Sequence, residues 1–470
     1  MNAWMLDLAY LVASVLFILC LRGLSSPEAG RRGILLGELG MFVAVVATLL
    51  QREIVSYEWI IAGILLGSLI GTAISLRIPM TKMPERIALS HAFGGLATAL
   101  VGIAEYYRHF GTHGGGAVVE MSRLSLGALG FEVFLGSLTF TGSIMAFAKL
   151  QGLIRGAPIT YKGQNATNLL LFLISGALIV YGVVRPGESS IAFYAVPGIA
   201  LGLGVLGVLP IGGADMPVVI SLLNSYAGLA AAATGIALGH KILIITGALD
   251  GSSGLLLSIL MSKAMNRSFS NVLFGAFGGE QEAAAGAGGQ RRSYNEATVE
   301  DATAVLQASQ SVIVIPGYGM AVSQAQYAVR DLAALLQKRG VEVRYAIHPV
   351  AGRMPGHMNV LLAEANVPYD ELYDLDAIND DFGRTDAVIV VGANDVVNPA
   401  ARTDPKSPIF GMPVFNVEQA RSIIVLKRSM ATGFSGVENE LFHMANTMMV
   451  LGDAKKTLLS FQTQLKGGGH

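Results

Sequence analysis

The fold of the C-terminal half is decided by residues 311–322, which read SVIVIPGYGMAV. Four β-branched residues in a row are typical of a buried strand, and Gly317 and Gly319 follow directly. A helical pattern over 323–339 and a second strand over 341–347 come next. Strand, glycine turn, helix and strand in this order form the repeating unit of a doubly wound parallel sheet.

The glycine turn is typical of a dinucleotide-binding site. Its glycines allow a tight bend and a close approach of the backbone to a pyrophosphate, and the N-terminus of the next helix favours the anion. The pattern here is G-x-G-x-x-V, which lacks the usual third small residue. Its position between a strand and a helix favours a binding turn of six residues: Gly317, Tyr318, Gly319, Met320, Ala321 and Val322.

Further apolar runs complete the predicted domain. A short helix is expected over 298–308, ahead of the first strand. Six strands are predicted in all, and the four not yet named lie at 386–391, 413–417, 422–426 and 448–451. The expected fold of residues 296–466 is an α/β Rossmann-like doubly wound domain with a six-stranded parallel sheet. We treat 467–470 as a tail outside the fold.

The composition of the whole chain indicates two different solvents. The 470 residues are 52% hydrophobic and 14% charged, with a mean hydropathy of +0.55, whereas a soluble domain has roughly 25% charged residues. Residues 1–290 hold 30 charged side chains and residues 291–470 hold 35. The first part is therefore expected in lipid and the second in water.

Net charge and cysteine content exclude several classes of function. The formal net charge of −1 gives no electrostatic reason to expect nucleic acid as a partner. Cys20 is the one cysteine of the sequence, so neither an intrachain disulfide nor a thiolate metal cluster is expected, and no metal site is predicted. A flavin-dependent membrane reductase would need a second cofactor motif, which the sequence lacks.

Residues 1–265 are predicted to form an α-helical polytopic membrane domain. A spanning helix needs about 20 apolar residues. The first apolar run is interpreted as a spanning helix and not as a signal peptide, because it lacks a basic beginning and eight more runs follow. The nine runs lie at 4–22, 34–50, 57–76, 88–106, 126–148, 168–184, 191–209, 217–238 and 240–262.

The short loops predict the orientation of these spans. Nine is odd, so the two chain ends face opposite sides, and Lys and Arg accumulate on the cytoplasmic side. The odd-numbered loops and the segment after the last span hold eleven of them: Arg22, Arg31, Arg32, Arg77, Lys82, Arg86, Lys149, Arg155, Lys162, Lys263 and Arg267. The even-numbered loops hold five: Arg52, Arg108, Arg123, Arg185 and Lys241. The N-terminus is therefore expected outside and the residues after 262 inside.

A flexible linker is expected between the two parts, over 266–295. Residues 275–293 read GAFGGEQEAAAGAGGQRRS. This composition, rich in glycine and alanine, is typical of a linker and does not favour packing.

Several polar groups interrupt the apolar runs. His91 lies near the start of the fourth span and Asn224 early in the eighth, and we expect both at similar depth near the cytoplasmic face. An ionisable group in a membrane is costly and suggests a polar path or a binding site, and histidine changes charge near neutral pH. Proton handling is one interpretation, and a structural hydrogen bond is the other. Further polar groups are Asp250, Ser252 and Ser253 in the ninth span, and Glu38 and Glu132, which lie near span ends where a carboxylate reaches the headgroups.

The ends of two predicted strands favour NADP over NAD. NAD-binding folds usually place Asp or Glu at the end of the second strand, where it holds the ribose 2′-hydroxyl. Here that strand ends at Ile347, His348 and Pro349, with no acid. A 2′-phosphate needs cations instead, and Lys427-Arg428-Ser429 closes the strand at 422–426. The alternative is that these three residues are simply a solvated basic strand end.

Four longer segments carry a family resemblance: PGYGMAV at 316–322, GRMPGHMNV at 352–360, GANDVVNP at 392–399 and KRSMATG at 427–433. With nine spans ahead of them, they make the whole chain resemble the beta subunit of the proton-translocating NAD(P) transhydrogenase. The resemblance implies hydride exchange between NAD(H) on a partner alpha subunit and NADP(H) bound here, coupled to proton movement across the membrane. It also implies a bacterial inner membrane, with the NADP domain in the cytoplasm, and a dimer of alpha–beta pairs.

The same resemblance assigns roles to individual residues. It implies that Lys427, Arg428 and Ser429 grip the 2′-phosphate, and that Arg353 contacts the pyrophosphate region with its neighbours Gly352, Met354 and Pro355. Asp395 is implied near the nicotinamide end, next to Gly392, Ala393 and Asn394. Gly433 and Phe434 end the last motif, where Phe434 replaces the family's tyrosine. The implied proton path comprises His91, Asn224, Asp250 and the segment 251–254 with Ser252 and Ser253, while Asp215 faces the nucleotide domain from a cytoplasmic loop.

A second reading of the same layout is a transporter or channel gated by an NADP-sensing domain. It predicts a solute or ion site near the middle of the membrane, commonly built from broken helices. It also predicts that bound NADP is never oxidised or reduced.

Overall fold

The computed structural model describes residues 3–25, 27–50, 57–110, 121–155, 158–186, 190–212, 215–265, 269, 293–354, 356–405, 407, 409–433 and 435–467. The predicted linker lies mostly outside the described residues, as do the predicted site residues Pro355 and Phe434. The chain divides into two compact units, Met1–Gly212 with Val219–Ser258 and Gly213–Val218 with Ile259–His470.

Nine helices in the described ranges are long and apolar enough to cross a membrane, as the hydropathy pattern predicts. Each has 19 to 28 residues, and a helix of about 20 residues spans the hydrocarbon core. They are α1 (Ala3–Leu24), α2 (Pro27–Leu49), α3 (Glu58–Arg77), α4 (Met83–Phe110), α5 (Arg123–Leu150), α6 (Gln164–Val184), α7 (Ser190–Val208), α8 (Met216–Leu238) and α9 (Lys241–Ala264).

Some helices begin earlier than the apolar runs predict. The fourth run starts at residue 88, whereas α4 begins at Met83 and includes Glu85 and Arg86 in its first turn. Apolar runs end at the first charged residues because they report contact with lipid. Backbone hydrogen bonding continues beyond that point, so the helix is longer than its lipid-facing part.

Small residues bring the membrane helices into close contact. Between α4 and α5, a Cβ atom on Gly95 would lie 2.8 Å from the carbonyl oxygen of Gly136. Between α8 and α9, a Cβ atom on Gly228 would lie 2.3 Å from the backbone nitrogen of Gly251. Where no hydrophobic force drives helix association, such backbone approach lets dispersion contacts hold the bundle together.

A buried lysine joins α5 to the end of α7. The Nζ atom of Lys149, in the last turn of α5, donates hydrogen bonds to the carbonyl oxygens of Leu209, at 2.5 Å, and Ile211, at 2.7 Å. The last carbonyl groups of a helix have no partner within the helix. Lys149 therefore caps the C-terminal end of α7 and fixes the segment that follows it.

The second unit is built on a six-stranded parallel sheet, as predicted. Its strand order is β3-β2-β1-β4-β5-β6, and all the pairs are parallel. This is the doubly wound order, in which successive strands are added on one side of β1 up to β3 and on the other side from β4 onward. The strands are β1 (Ser311–Pro316), β2 (Glu342–Ile347), β3 (Leu372–Asp374), β4 (Ala387–Val391), β5 (Ser422–Lys427) and β6 (Thr447–Leu451).

Among the described residues, seven α-helices accompany this sheet. The predicted helix at 298–308 is confirmed as the first of them, and it begins with a capping box in which Thr298 and Asp301 each accept from the other's backbone. The seven are α10 (Val299–Ala308), α11 (Tyr318–Val322), α12 (Gln326–Gln337), α13 (His357–Glu364), α14 (Leu375–Ile378), α15 (Ala400–Thr403) and α16 (Ala454–Gly467).

The number of strands is right, but the prediction of a strand at 413–417 is wrong. Val414, Phe415 and Val417 of that segment are buried outside the sheet, whereas Pro413 is exposed. The carbonyl oxygen of Pro413 lies 2.7 Å from Nε2 of His348, and the Phe415 amide donates to the carbonyl oxygen of Val396. The strand that replaces it is β3, which has two half-buried residues, one exposed residue and no apolar run. The apolar run at 413–417 reflects burial in the core, not strand pairing.

The helix predicted over 323–339 is shorter than expected, at Gln326–Gln337, and a separate short helix precedes it. The short α11 ends at Val322, and α12 begins at Gln326. Between them, the Ser323 hydroxyl donates to the carbonyl oxygen of Gly319 at 2.8 Å, and Gln324 adopts a φ of +50°. A non-glycine residue in this left-handed conformation ends a helix, so the short helix that contains Gly319 stops before α12 begins.

Candidate functional site

The first part of the site lies where β1 and β4 end side by side. The amide of Gly319 donates to the carbonyl oxygen of Gly392 at 2.9 Å. A Cβ atom on Gly317 would lie 2.5 Å from the Cα of Ala393, and one on Gly319 would lie 2.7 Å from the Cα of Gly392. Gly392 also has a φ of +64°. The two turns therefore meet backbone to backbone, at the switch point where doubly wound folds bind nucleotides.

The loop after β2 contacts the same turn. The guanidinium carbon of Arg353 lies 4.2 Å from the centre of the Tyr318 ring, in a cation–π contact. The backbone amide of Arg353 donates to Nδ1 of His357 at 3.0 Å. Gly352 has a φ of +105°, and a Cβ atom there would lie 2.6 Å from His357. The structure thus brings together two of the segments that the sequence singles out.

The loop after β4 holds a carboxylate in a defined position. Asp395 accepts hydrogen bonds from the Ser435 hydroxyl, at 2.7 Å, and from the Ser435 amide, at 3.2 Å. The Asn394 side chain donates to the same carboxylate at 3.2 Å. A Cβ atom on Gly433 would lie 2.9 Å from Oδ1 of Asp395. Segments 392–399 and 427–433 therefore also meet.

A lysine at the end of β5 completes this edge of the sheet. The Nζ atom of Lys427 donates to the carbonyl oxygen of Ala431 at 2.5 Å and lies 4.6 Å from the centre of the Phe442 ring. Burial lowers the pKa of Lys427, and the nearby Asp395 carboxylate opposes that shift. Arg428 and Ser429 are exposed, so their side chains are open to an anion.

The end of β2 carries a buried histidine and no acid. Nε2 of His348 bonds with the carbonyl oxygen of Pro413, and Nδ1 accepts from the Val350 amide at 3.2 Å. Burial lowers the pKa of His348 to about 4, only partly offset by the bond to Pro413. The side chain is therefore a neutral structural group, and β2 offers no carboxylate to a ribose hydroxyl.

In the membrane unit, three helices meet through polar side chains. Nδ2 of Asn224 in α8 donates to Oδ1 of Asp250 in α9 at 2.9 Å. The Asn224 side chain also lies within hydrogen-bonding reach of His91 in α4. Nδ1 of His91 is buried and has no hydrogen-bond partner among the described residues. His91 and Asn224 are each the ninth residue of their helices, and their similar depth in the membrane stays a prediction.

Comparison with known proteins agrees with this architecture. The family model of the NAD(P) transhydrogenase beta subunit matches residues 6–464. The chain belongs to this family. The NAD(P) transhydrogenase subunit beta of Rhodospirillum rubrum, and that of a named strain of the same species, are each 52% identical to it over 451 residues. The match covers 95% of this chain and 96% of each relative. The chain is accordingly a membrane-embedded subunit with an oxidoreductase role.

In this transhydrogenase subunit, Ser252 and Ser253 of the predicted proton path form hydrogen bonds within their own helix and not with His91. The Ser252 hydroxyl donates to the carbonyl oxygen of Ala248 at 2.6 Å, and the Ser253 hydroxyl donates to that of Asp250 at 3.0 Å, both within α9. Segment 251–254 meets α8 through its backbone instead: Ser225 donates to the Gly251 carbonyl at 2.6 Å.

Asp215 is buried and directly precedes α8. It therefore lies nine residues ahead of Asn224, at the beginning of the same helix. Its proposed role toward the nucleotide domain remains a prediction.

Sequence reasoning missed several polar residues of this beta subunit. Ser435, which holds Asp395, follows the last family motif by two positions, and His357 lies within a quoted motif. The expectation that Glu132 reaches the headgroups is wrong, because it is the tenth residue of α5 and is 1% exposed. A usable signal was present: Glu132, Thr139 and Ser143 are spaced by seven and four residues, which places them on one helical face.

The described residues contain no group of three or more His, Cys, Asp or Glu side chains that could hold a metal ion.

Proposed function

We propose that this chain binds NADP(H) where β1, β4 and β5 end and exchanges hydride with NAD(H) held by an alpha subunit. The observation that carries the proposal is the backbone contact of Gly317 and Gly319 with the loop at Gly392, flanked by Lys427. Side chains on these glycines would collide with the backbone at Gly392 and Ala393, so glycine allows the two turns to form one backbone surface against which a pyrophosphate would lie. The absence of an acid at the end of β2 disfavours recognition of a free ribose 2′-hydroxyl.

The residues of this chain bind and orient the nucleotide, and they exclude water from it. Lys427 and the exposed Arg428 and Ser429 offer charge and hydrogen bonds to a 2′-phosphate. Arg353, held over Tyr318, offers its charge to the pyrophosphate. The nicotinamide supplies the hydride chemistry when it is bound.

Asp395 has a positioning task at the nicotinamide end. Ser435 and Asn394 fix its carboxylate beside Gly433. No acid or base is needed for hydride transfer itself, so this group orients the ring and does not move a proton.

The membrane unit would carry protons past His91, Asn224 and Asp250. Asn224 donates to Asp250 and reaches His91, so its amide links the two titratable groups. Nδ1 of His91 is the ring atom left to take up a proton. Coupling requires an element with two states that both the proton and the nucleotide bias. We propose that α8 is this element, because Asn224 and Asp215 both belong to it or adjoin it.

The charge pattern of the loops supports an orientation with the N-terminus outside and the α/β unit in the cytoplasm. The chain would thus act as a translocase in a bacterial inner membrane, within a dimer of alpha–beta pairs surrounded by lipid. The proton path is proposed from the side chains of α4, α8 and α9 together with this orientation.

The variant Lys427→Gln tests the nucleotide assignment in the full chain in detergent. A hydrogen bond to a charged group contributes about 1.5–3 kcal/mol, so we expect NADPH to bind roughly 10- to 100-fold more weakly. NADH lacks the 2′-phosphate, and its affinity should be unchanged. Lys338→Gln, an exposed lysine after α12, is the matched control. Titration calorimetry with both nucleotides provides the measurement, and an equal loss for NADPH and NADH would contradict the assignment.

A further inference from the structure

Glu132 is a buried acid that the path described above does not use. It is 1% exposed, and neither carboxylate oxygen has a hydrogen-bond partner among the described residues. As the tenth residue of α5, it lies about 13 Å along the helix axis from the first, at a rise of 1.5 Å per residue. An ionisable group at such depth is costly and is a functional candidate by default.

The packing of α4 against α5 places Glu132 on a line of buried polar groups. A Cβ atom on Gly95 would lie 2.9 Å from the Cβ of Thr139, and one on Gly102 would lie 3.2 Å from the Cδ of Glu132. The seven-residue step along α4 thus matches the seven-residue step along α5, as in an antiparallel pair. Continuing the register by four residues brings His91 level with Ser143.

The hydroxyl groups on this line resemble Glu132 in their surroundings. Thr139 and Ser143 are both 0% exposed, and neither hydroxyl has a hydrogen-bond partner among the described residues. Buried polar groups are normally paired, and exceptions often indicate water or function. The polar face of α5 therefore extends from the level of His91 to Glu132.

The outer end of the line reaches two further titratable groups. Glu105 in α4 acts electrostatically on Glu132. The hydroxyl of Thr234 in α8 lies nearby and donates to the carbonyl oxygen of Ala230 at 3.0 Å. Glu105 in turn lies 3.3 Å from His109 and 3.5 Å from Arg108.

Tyr106 is a further titratable group near Glu132. It belongs to a buried cluster with Leu129 and Val133, and its ring stacks on Phe193 of α7 at 3.7 Å. Apolar side chains of this cluster therefore lie next to Glu132, and the buried Tyr106 hydroxyl, like the carboxylate, has no hydrogen-bond partner among the described residues.

We propose that Glu132 carries protons through the outer half of the membrane unit, between Glu105 at the outer end and His91. The step is a reversible protonation of its carboxyl group, passed on through Thr139 and Ser143. Seven residues of helix span about 10 Å, so water must lie between Glu132 and Thr139. This inference rests on the proposed function, since it adds a residue to that proton path.

Vesicles that contain this chain and an alpha subunit test the inference. NADPH formation and internal pH are followed together, with Glu132→Gln, Glu132→Asp and Glu38→Gln compared against the unchanged chain. Glu38 is an exposed membrane carboxylate and serves as the matched control. We expect Glu132→Gln to lower proton transport at least tenfold while NADP(H) affinity and melting temperature stay unchanged. Glu132→Asp should retain part of the transport, and Glu38→Gln should retain all of it.

The outcomes separate the two proposals. If the unchanged chain transports protons and Glu132→Gln does so equally well, Glu132 is not a carrier and the proposed function stands. If the unchanged chain transports none, the proposed function fails and the role of Glu132 fails with it.

Chemical modification of the unchanged chain tests the inference even where a Glu132 variant does not fold. A hydrophobic carbodiimide adds to a protonated carboxyl group in lipid and rearranges to a stable N-acylurea. We expect peptide mass mapping of the unchanged chain to show that transport falls in proportion to modification of Glu132. Full transport with Glu132 completely modified would overturn the inference.

Discussion

Acidification should destabilise the α/β unit through one buried side chain, His348. Burial lowers its pKa to about 4, against 6.5 in an unfolded chain. Between these values the unfolded chain binds a proton that the folded chain does not. Stability is therefore complete above about pH 6.5 and falls as the pH drops toward 4. The difference of 2.5 pKa units amounts to about 3 kcal/mol in total, of which about 2 kcal/mol is lost by pH 5.

The matched variant is His348→Gln, whose amide can still donate to the carbonyl oxygen of Pro413 but cannot titrate. Both tryptophans, Trp4 and Trp59, lie in the first unit, so fluorescence would not report on the sheet. Hydrogen exchange of peptides from β1 and β4 reports on it directly. Between pH 7.5 and pH 5, protection in the unchanged chain should fall about 30-fold more than in the variant. Equal pH dependence in the two proteins would refute the reasoning.

Two further substitutions test particular contacts. Gly319→Ala would place a Cβ atom 2.7 Å from the Cα of Gly392, so NADPH affinity should fall at least tenfold by calorimetry. The control Gly383→Ala, where the nearest atom is 3.6 Å away, should bind normally. Lys149→Met leaves two carbonyl groups after α7 unpaired, at about 1–3 kcal/mol each. Its melting temperature in detergent should drop, whereas exposed Lys162→Met should melt as the unchanged chain does. Unchanged melting in Lys149→Met would show that water replaces the cap.

The membrane helices were predictable because lipid imposes a simple requirement. Each span must present about 20 apolar residues, and all nine are visible as hydropathy alone. The sequence says less about how these helices pack against one another. Glu132 illustrates this limit, since its position in a span does not reveal whether its side chain faces lipid, headgroups or neighbouring helices.

The sheet was predictable in kind but not in every strand. Buried central strands such as β1 and β4 consist of continuous apolar residues, so pattern and structure agree. The edge strand β3 has two half-buried residues and one exposed residue, and no such pattern. The segment at 413–417 shows the opposite case, because a loop that buries Val414, Phe415 and Val417 in the core has the composition of a strand.

The candidate site followed from topology more than from side-chain chemistry. Two glycine turns at the ends of adjacent parallel strands must meet, and Gly319 and Gly392 do. The hydrogen bond from Ser435 to Asp395 depends on how the loop after β5 folds back toward β4. No rule of sequence spacing predicts that path.

The central claim is that transmembrane proton movement and the redox state of NADP(H) are linked through this chain. The most direct measurement is the rate of NADPH production from NADH in sealed vesicles while the pH difference across the membrane is varied. The rate should change several-fold and in opposite directions for opposite gradients, and His91→Ala should abolish that response while still binding NADPH. A rate that stays constant across all gradients in the unchanged chain would contradict the account.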